Sequence, residues 1–157
     1  MSDEKDGAAV RFPPPFAYLS GIAIGALLQS FVTPLSMAIG RELRIAGAGI
    51  VAALGVGIMA AAAGPFKKTE QDPKPWKPTP AIISTGIYGY SRNPMYVSMA
   101  LLQACVGIAL LNGWILVLIP PVLWLVYYTA IRHEEVYLER KFGETYLSYK
   151  RSVRRWL

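Results

Sequence analysis

The sequence predicts an all-α, polytopic membrane protein with about four transmembrane helices and a C-terminal cytoplasmic amphipathic helix. Three observations carry that expectation. Of the 157 residues, 54% are hydrophobic, and they gather in long uninterrupted blocks. Such blocks suit spanning helices better than the dispersed core of a soluble domain. The charged residues collect between the blocks, and a single Asn-Gly pair divides the longest one. By length the chain is one domain: a polar tail over 1–15, two N-terminal spans within 16–64, and a loop, helical hairpin and C-terminal segment over 65–157.

Residues 1–11 are polar and of mixed charge, and they read as a frayed tail. The tail has neither the basic start nor the small-residue cleavage site of a signal peptide. Pro13-Pro14-Pro15 gives a stiff approach to the first span, Phe16 to Thr33. There Gly21 and Gly25 make a Gly-x-x-x-Gly pair, read as close internal packing in preference to a dimer seam. The second span, Ile45 to Gly64, holds eight Ala and five Gly. Small side chains invite neighbours against the backbone, which predicts a place in the middle of the bundle. Pro65 to Pro80 is a proline-rich polar loop carrying Trp76. Met95 to Ile131 is too long for one span, and Asn112-Gly113 is a strong turn signal. A helical hairpin follows, its second arm kinked at Pro120-Pro121. Trp124 lies too deep in its span for an interfacial belt and is expected to line the bundle or an acceptor channel. Beyond Arg132 the pattern is polar and helical, with Glu135 within reach of Arg132. Gly143 interrupts it, and Phe142, Tyr146 and Tyr149 form one face of an amphipathic ending on the membrane surface.

Charge fixes an orientation. With four spans, one side receives 14 Lys and Arg and the other 2. Both termini are therefore expected in the cytoplasm. The net charge of +6 is explained by these flanks and by anionic lipid headgroups, so nucleic acid is not expected as a partner. Cys105 is the only cysteine and His133 the only histidine, which leaves no ligand set for a metal.

The stretch from Ile82 to Tyr96 is too polar and too rich in turns to belong to the helix it leads into. Gly86 and Gly89 allow tight turns. Arg92 precedes Asn93-Pro94, and Pro94 suits a first helical turn. An antiparallel hairpin turning near residue 112 brings the neighbourhood of residue 92 against that of residue 132.

Residues 86–96 resemble the Gly-x-Tyr-x-x-x-Arg-(His/Asn)-Pro-x-Tyr signature of the isoprenylcysteine carboxyl methyltransferase and phospholipid methyltransferase superfamily. A second mark, a Glu-Glu pair followed by Leu and Phe-Gly-x-x-Tyr-x-x-Tyr, stands at Glu134-Glu135, Leu138, Phe142-Gly143, Tyr146 and Tyr149. The likeness covers roughly residues 66–157 and says nothing of the first two apolar segments. It implies an integral membrane enzyme that transfers a methyl group from S-adenosyl-L-methionine to a lipophilic, prenylated or lipid acceptor. Carried over by position, it implies a cofactor site at Pro80, Ala81, Ile82, Ile83, Gly86, Tyr88, Asn93, Pro94, Met95, Tyr96, Glu134 and Glu135. Arg92, Asn93 and Tyr96 are the candidate catalytic residues, and Trp124 and Arg132 the candidate acceptor contacts.

The chemistry suits those residue types. A carboxylate accepts from the cofactor's ammonium or ribose diol, a guanidinium donates to its carboxylate, and aromatic rings receive its cationic sulfur and its base. Glu134 is expected to hold the cofactor while Glu135 pairs with Arg132, since neighbouring carboxylates diverge by about 100° around a helix. Two positions depart from the prenylcysteine enzymes: Asn93 stands where they have His, and Ala130 where they have an acceptor-binding Arg. No isolated general base stands out, which favours an acceptor that is already nucleophilic. The competing class is a small non-enzymatic membrane protein, a transporter subunit or scaffold. A transporter normally needs an ionisable residue inside a span, and none of the four has one.

Overall fold

The fold is described from a computed structural model covering residues 7–156, so residues 1–6 of the expected tail lie outside the described residues. From Gly7 onward the segment is anchored: Ala8 N donates to Pro75 O at 2.9 Å and Arg11 N to Thr129 O at 3.0 Å. The helices are α1 (Pro14–Phe31), α2 (Arg41–Lys68), α3 (Pro94–Ala109), α4 (Gly113–Val117), α5 (Ile119–Val126), α6 (Arg132–Phe142) and α7 (Glu144–Ser152). A 3-10 turn covers Gly86–Gly89, and a π-helical turn, Tyr127–Ile131, joins α5 to α6. No strand occurs among the described residues.

Two helical stretches are long and apolar enough to cross a membrane. One is α2, with 28 residues; the other is the head-to-tail run from Gly113 to Phe142, with 30. Helices α1 and α3 are apolar but shorter, at 18 and 16 residues.

The central helix is α3, which packs on α1, α2, α4 and α5. Helix α2 does not take the middle place its composition predicts. It lies on α3 alone among the long helices, and only Gly55 and Ala62 are buried. A Cβ on Gly55 would sit 3.1 Å from Leu102 Cδ2, whereas Gly49 and Gly57 face open space. Small residues permit one close approach, but they lack the bulk to interdigitate with several neighbours at once. Gly21 and Gly25 do serve internal packing: a Cβ there would meet Val122 Cγ2 at 2.7 Å and Ile115 Cγ1 at 2.6 Å, respectively.

The hairpin turn forms where Asn-Gly predicts it. Asn112 Nδ2 donates to the Gly25 carbonyl at 3.0 Å, and Gly113 N donates to Leu35 O at 2.8 Å. The loop after α1 therefore caps the hairpin. The second arm is interrupted at Leu118, just before Pro120-Pro121. Within the bundle, Gln103 Nε2 donates to the Ile115 carbonyl at 3.0 Å, so a polar side chain meets a backbone acceptor where the helix breaks.

The C-terminal region departs from expectation. Gly143 interrupts the helix with φ 55, as its position predicts. The aromatic face of α7, however, turns onto protein. Tyr146 is buried, and Tyr149 OH donates to the Tyr88 carbonyl at 2.7 Å. After α7 the chain crosses back: Ser91 and Arg154 form a parallel bridge, and Trp156 packs against the core around Tyr18, Tyr96 and Val126. Burial of Tyr146 and the tertiary hydrogen bond of Tyr149 outweigh the periodicity that suggested a surface helix.

Candidate functional site

The site begins with a backbone constraint. Gly86 takes φ +61, a region closed to most side chains, and this opens the 3-10 turn that drives Tyr88 inward. Tyr88 is 7% exposed and meets the Phe66 ring edge-on at 5.9 Å. Three residues on, Ser91 Oγ accepts from Asn93 N at 3.2 Å, and Pro94 then starts α3. Asn93 and Pro94 are both buried.

The hairpin brings the start of α3 to α6. Tyr96 OH donates to Glu134 Oε1 in a short hydrogen bond, and its own carbonyl accepts from Tyr18 OH at 2.8 Å. Helix α1 thus braces the tyrosine that holds Glu134. On the adjacent face of α6, Arg92 Nη1 donates to Glu135 Oε1 at 3.0 Å. Arg155 Nε donates to the same oxygen at 2.8 Å and Nη2 to Oε2 at 3.0 Å, while Lys150 Nζ stands 3.8 Å from Oε2. Glu135 is thus paired with Arg92, Arg155 and Lys150, and not with Arg132 as helical spacing predicts. Arg132 is exposed and lines a separate cavity with Arg11 and His133. Tertiary contacts gather three cations where the helix itself offers one.

Between these elements lies a cavity of about 310 Å³, at the lower end of small-molecule pockets. Of the residues expected at the cofactor site, Ala81, Ile82, Ile83, Tyr88, Asn93, Pro94, Met95, Tyr96, Glu134 and Glu135 line it, as does Arg92. Pro80 and Gly86 do not; Gly86 shapes the turn from outside. Trp124 lines neither cavity. It is 64% exposed and meets the Tyr128 ring at a tilt, 4.7 Å between centroids, on the outer surface, so its depth in the sequence reflects an outward face and not an interior one. Tyr90 is also outside, 79% exposed.

The proline-rich loop supplies wall residues that sequence reasoning did not select: Gln71, Asp72, Trp76 and Thr79. Thr79 N donates to Tyr137 OH at 3.2 Å. The expectation that the end of this loop orders against the site was the only signal for them. Tyr146 and Tyr149 belonged to the second motif, but their place on the wall depends on the C-terminal fold.

Two buried polar atoms in the lining lack a hydrogen-bond partner, Arg92 Nε and Gln71 Oε1. The lining also offers a guanidinium, a side-chain amide and a carboxylate, a set that suits a small molecule carrying both an anionic and a donor group. The two carboxylates are tuned in opposite directions. Burial pushes Glu134 up to about 7 against the pull of the Tyr96 hydroxyl, with the charge of Glu135 adding to the rise. Burial alone would also raise Glu135, but the Arg155 hydrogen bond and the charges of Arg92, Arg155 and Lys150 hold it below the ordinary range. Burial raises Tyr88 as well, and carries Tyr149 to about 12, so these phenols stay protonated. No cluster of three or more metal-ligating side chains occurs among the described residues.

A helical bundle with two stretches apolar and long enough to cross a membrane, and a small-molecule-sized cavity at the mouth of its helical hairpin, has the architecture of a membrane-type helical protein. More narrowly, the chain belongs to the phospholipid methyltransferase family, whose sequence profile matches residues 45–145. That match begins in α2, further upstream than the motifs reach. The chain is also 36% identical, over 72 residues, to protein-S-isoprenylcysteine O-methyltransferase of Saccharomyces cerevisiae. The aligned segment covers 46% of this chain and 30% of that relative.

Proposed function

We propose that the protein is an S-adenosyl-L-methionine-dependent methyltransferase acting on a lipophilic or membrane-partitioned acceptor. Its four apolar segments, α1, α2, α3 and the α4–α5 arm, cross the membrane, with both termini and the cavity on the cytoplasmic side. The observation that carries the reading is a single cavity lined by Arg92, Gln71 and the tyrosine-held carboxylate of Glu134. These groups complement the cofactor's carboxylate, its hydroxyl and amine donors, and its ammonium.

When bound, the cofactor supplies an electrophilic methyl group on a sulfonium. The chain's own part is to bind, orient and exclude water. Arg92 is the donor for the carboxylate and Glu134 the acceptor for the ammonium. Tyr88 and Trp76 supply aromatic surface for the cation and the base. Asn93 and Tyr96 hold the mouth of α3, where the acceptor's nucleophile is positioned in line; positioning in a water-poor site is the main source of acceleration for such a displacement. Met95, Met99 and Ile131 make the wall toward the bundle apolar, which supports entry of the acceptor from the bilayer. The family description points to a phospholipid acceptor and the yeast relative to a prenylcysteine one. Both are lipophilic, and both agree with this wall.

Isothermal calorimetry with S-adenosylhomocysteine tests the cofactor reading directly. Saturable one-to-one binding is the expected result, and its absence in folded protein would overturn the assignment. Accessibility labelling of an engineered cysteine near Lys150 tests the topology, which fails if the label enters from the external side.

A further inference from the structure

Helix α6 presents different residues to two cavities. Glu134, Glu135 and Leu138 line the first. Arg132, His133, Val136, Arg140 and Lys141 line the second, and Tyr137 touches both. Positions 132, 136 and 140 fall on one helical stripe. The second cavity is an open groove of about 1020 Å³, to which Arg11, Tyr128 and Thr129 also contribute. Arg11 is fixed there by its backbone, with N donating to Thr129 O at 3.0 Å. The groove is built from one sign of charge: Arg11, Arg132, Arg140 and Lys141 line it, and no Asp or Glu does among the described residues. Lys141 Nζ donates to Tyr137 OH at 2.9 Å, and Arg140 is engaged as well. The guanidinium groups of Arg11 and Arg132 meet no acceptor among the described residues, and both residues are exposed. Glu135, three residues from Arg132, is already taken by Arg92 and Arg155. A cleft lined by a single sign of charge gathers counter-ions.

From this geometry we infer that the groove is a binding site for the headgroup of an anionic phospholipid, with Arg11 and Arg132 on its phosphate. The surroundings name the carrier of the anion. The groove opens where the apolar arm gives way to polar α6. Trp124, Leu125 and Tyr128 are exposed along that arm, and Val136 is 60% exposed among the cations. A dissolved anion gains nothing from this apolar rim, whereas acyl chains lie along it while the phosphate stays with the arginines. The guanidinium fork matches phosphate oxygens two at a time. Basic pockets on the cytoplasmic side of spanning helices suit lipid headgroups for the same reason. Net negative charge is selected as well. A choline or ethanolamine headgroup places a cation beside the phosphate, and the groove has no carboxylate to receive it. The acidic and the basic sides of α6 thus serve different ligands, a cofactor on one and a lipid on the other.

The site rests on the membrane placement proposed above and not on methyl transfer. Native mass spectrometry of the full-length, delipidated protein in detergent measures it. Phosphatidylglycerol and phosphatidylcholine with the same acyl chains are titrated separately, and each variant's fold is checked by circular dichroism. A basic side chain near an anionic surface contributes about fivefold, so Arg132→Gln should weaken phosphatidylglycerol binding about fivefold and Arg11→Gln with Arg132→Gln about thirtyfold. Phosphatidylcholine should change little. The single variant serves as the test if the double one does not fold. Arg151→Gln with Arg154→Gln removes the same charge outside the groove and should change either lipid less than twofold. Equal losses in the two double variants, or no preference for phosphatidylglycerol in the wild type, overturn the site. Inorganic phosphate in excess should displace the bound lipid no more than chloride at equal ionic strength. Stronger displacement would make the groove a free-anion site and overturn the lipid assignment. Asp3→Asn with Glu4→Gln and Asp6→Asn should raise phosphatidylglycerol affinity less than tenfold, and a larger rise would give the groove to the chain's own acidic residues. Protein that keeps the lipid preference but binds no S-adenosylhomocysteine overturns the methyltransferase reading alone. External labelling near Lys150 would remove the membrane placement.

Discussion

Glu134 and Glu135 are neighbours in sequence and opposites in circumstance. Glu134 faces the cavity, touched by one neutral hydroxyl and raised by burial. Glu135 lines the same cavity, but its carboxylate meets the C-terminal segment, clasped by three cations and lowered by them. The same carboxylate chemistry is left without a cation on one face and clasped by three on the other. The turn of about 100° between successive helical residues is the whole local difference. What each face meets then decides its role. A carboxylate with no cation of its own is poised to receive one, and a carboxylate with three has none to spare.

The contrast is broken most strongly by Glu135→Gln. The Arg92–Glu135 pair is nearly buried, with side-chain exposures of 8% and 11%, and removing one partner from such a pair leaves an uncompensated charge. A loss of about 3 kcal/mol is expected, near the low end of the usual range because Arg155 and Lys150 each keep about a third of their side chain in solvent. Denaturant unfolding in mixed micelles measures it, and a loss below about 1 kcal/mol would mean the clasp is a surface feature. Glu134→Gln should instead leave stability nearly intact while weakening S-adenosylhomocysteine binding by about tenfold or more, the value of a charge-assisted hydrogen bond. If the two variants exchange these phenotypes, the roles of the two faces are reversed.

The pH responses should also have opposite signs. A carboxyl with a raised folded-state pKa contributes stability that is complete below its unfolded value and is lost as pH rises through the folded one. For Glu134 that window runs from about 4.5 to about 7. Glu135 is depressed, so its contribution is present above its unfolded value and lost as pH falls through the folded one. Ligand affinity should climb between pH 6 and 8 as Glu134 ionises, and Glu134→Gln should flatten that climb. Calorimetry across the range checks both, and a wild-type profile that is flat while Glu134→Gln still weakens binding would detach the titration from the carboxylate.

Tyr96→Phe is a finer instrument. The Tyr96 hydroxyl lowers Glu134, so its removal moves the midpoint of the affinity climb to higher pH. At pH 7 it should weaken binding by roughly threefold to tenfold, the span of one ordinary hydrogen bond. A shift to lower pH would mean the hydroxyl is not donating. The smallest effect belongs to Lys150→Gln. Lys150 is the outermost partner of Glu135, at 3.8 Å, and its loss should change stability by less than about 1 kcal/mol. A larger loss would extend the buried clasp to the surface.

By itself the sequence determined the helical class, the hairpin turn at Asn112-Gly113, and the meeting of residues near 92 with those near 132. These follow from apolar run length, turn chemistry and antiparallel geometry, which are local or nearly so. It also marked part of the cavity wall, because Tyr88, Arg92, Pro94 and the Glu pair stand in dense motifs. Only the tertiary structure decided the rest. The periodicity of α7 cannot show whether Tyr146 and Tyr149 meet lipid or Tyr88. The spacing that links Glu135 to Arg132 cannot anticipate Arg155, 20 residues away and returned by a turn after α7. The small residues of α2 advertise close packing without saying on how many sides, and Trp124 sits at a depth that does not reveal its direction. Faces, partners and edges depend on how helices rotate against one another, and that is settled by the packing of the whole bundle.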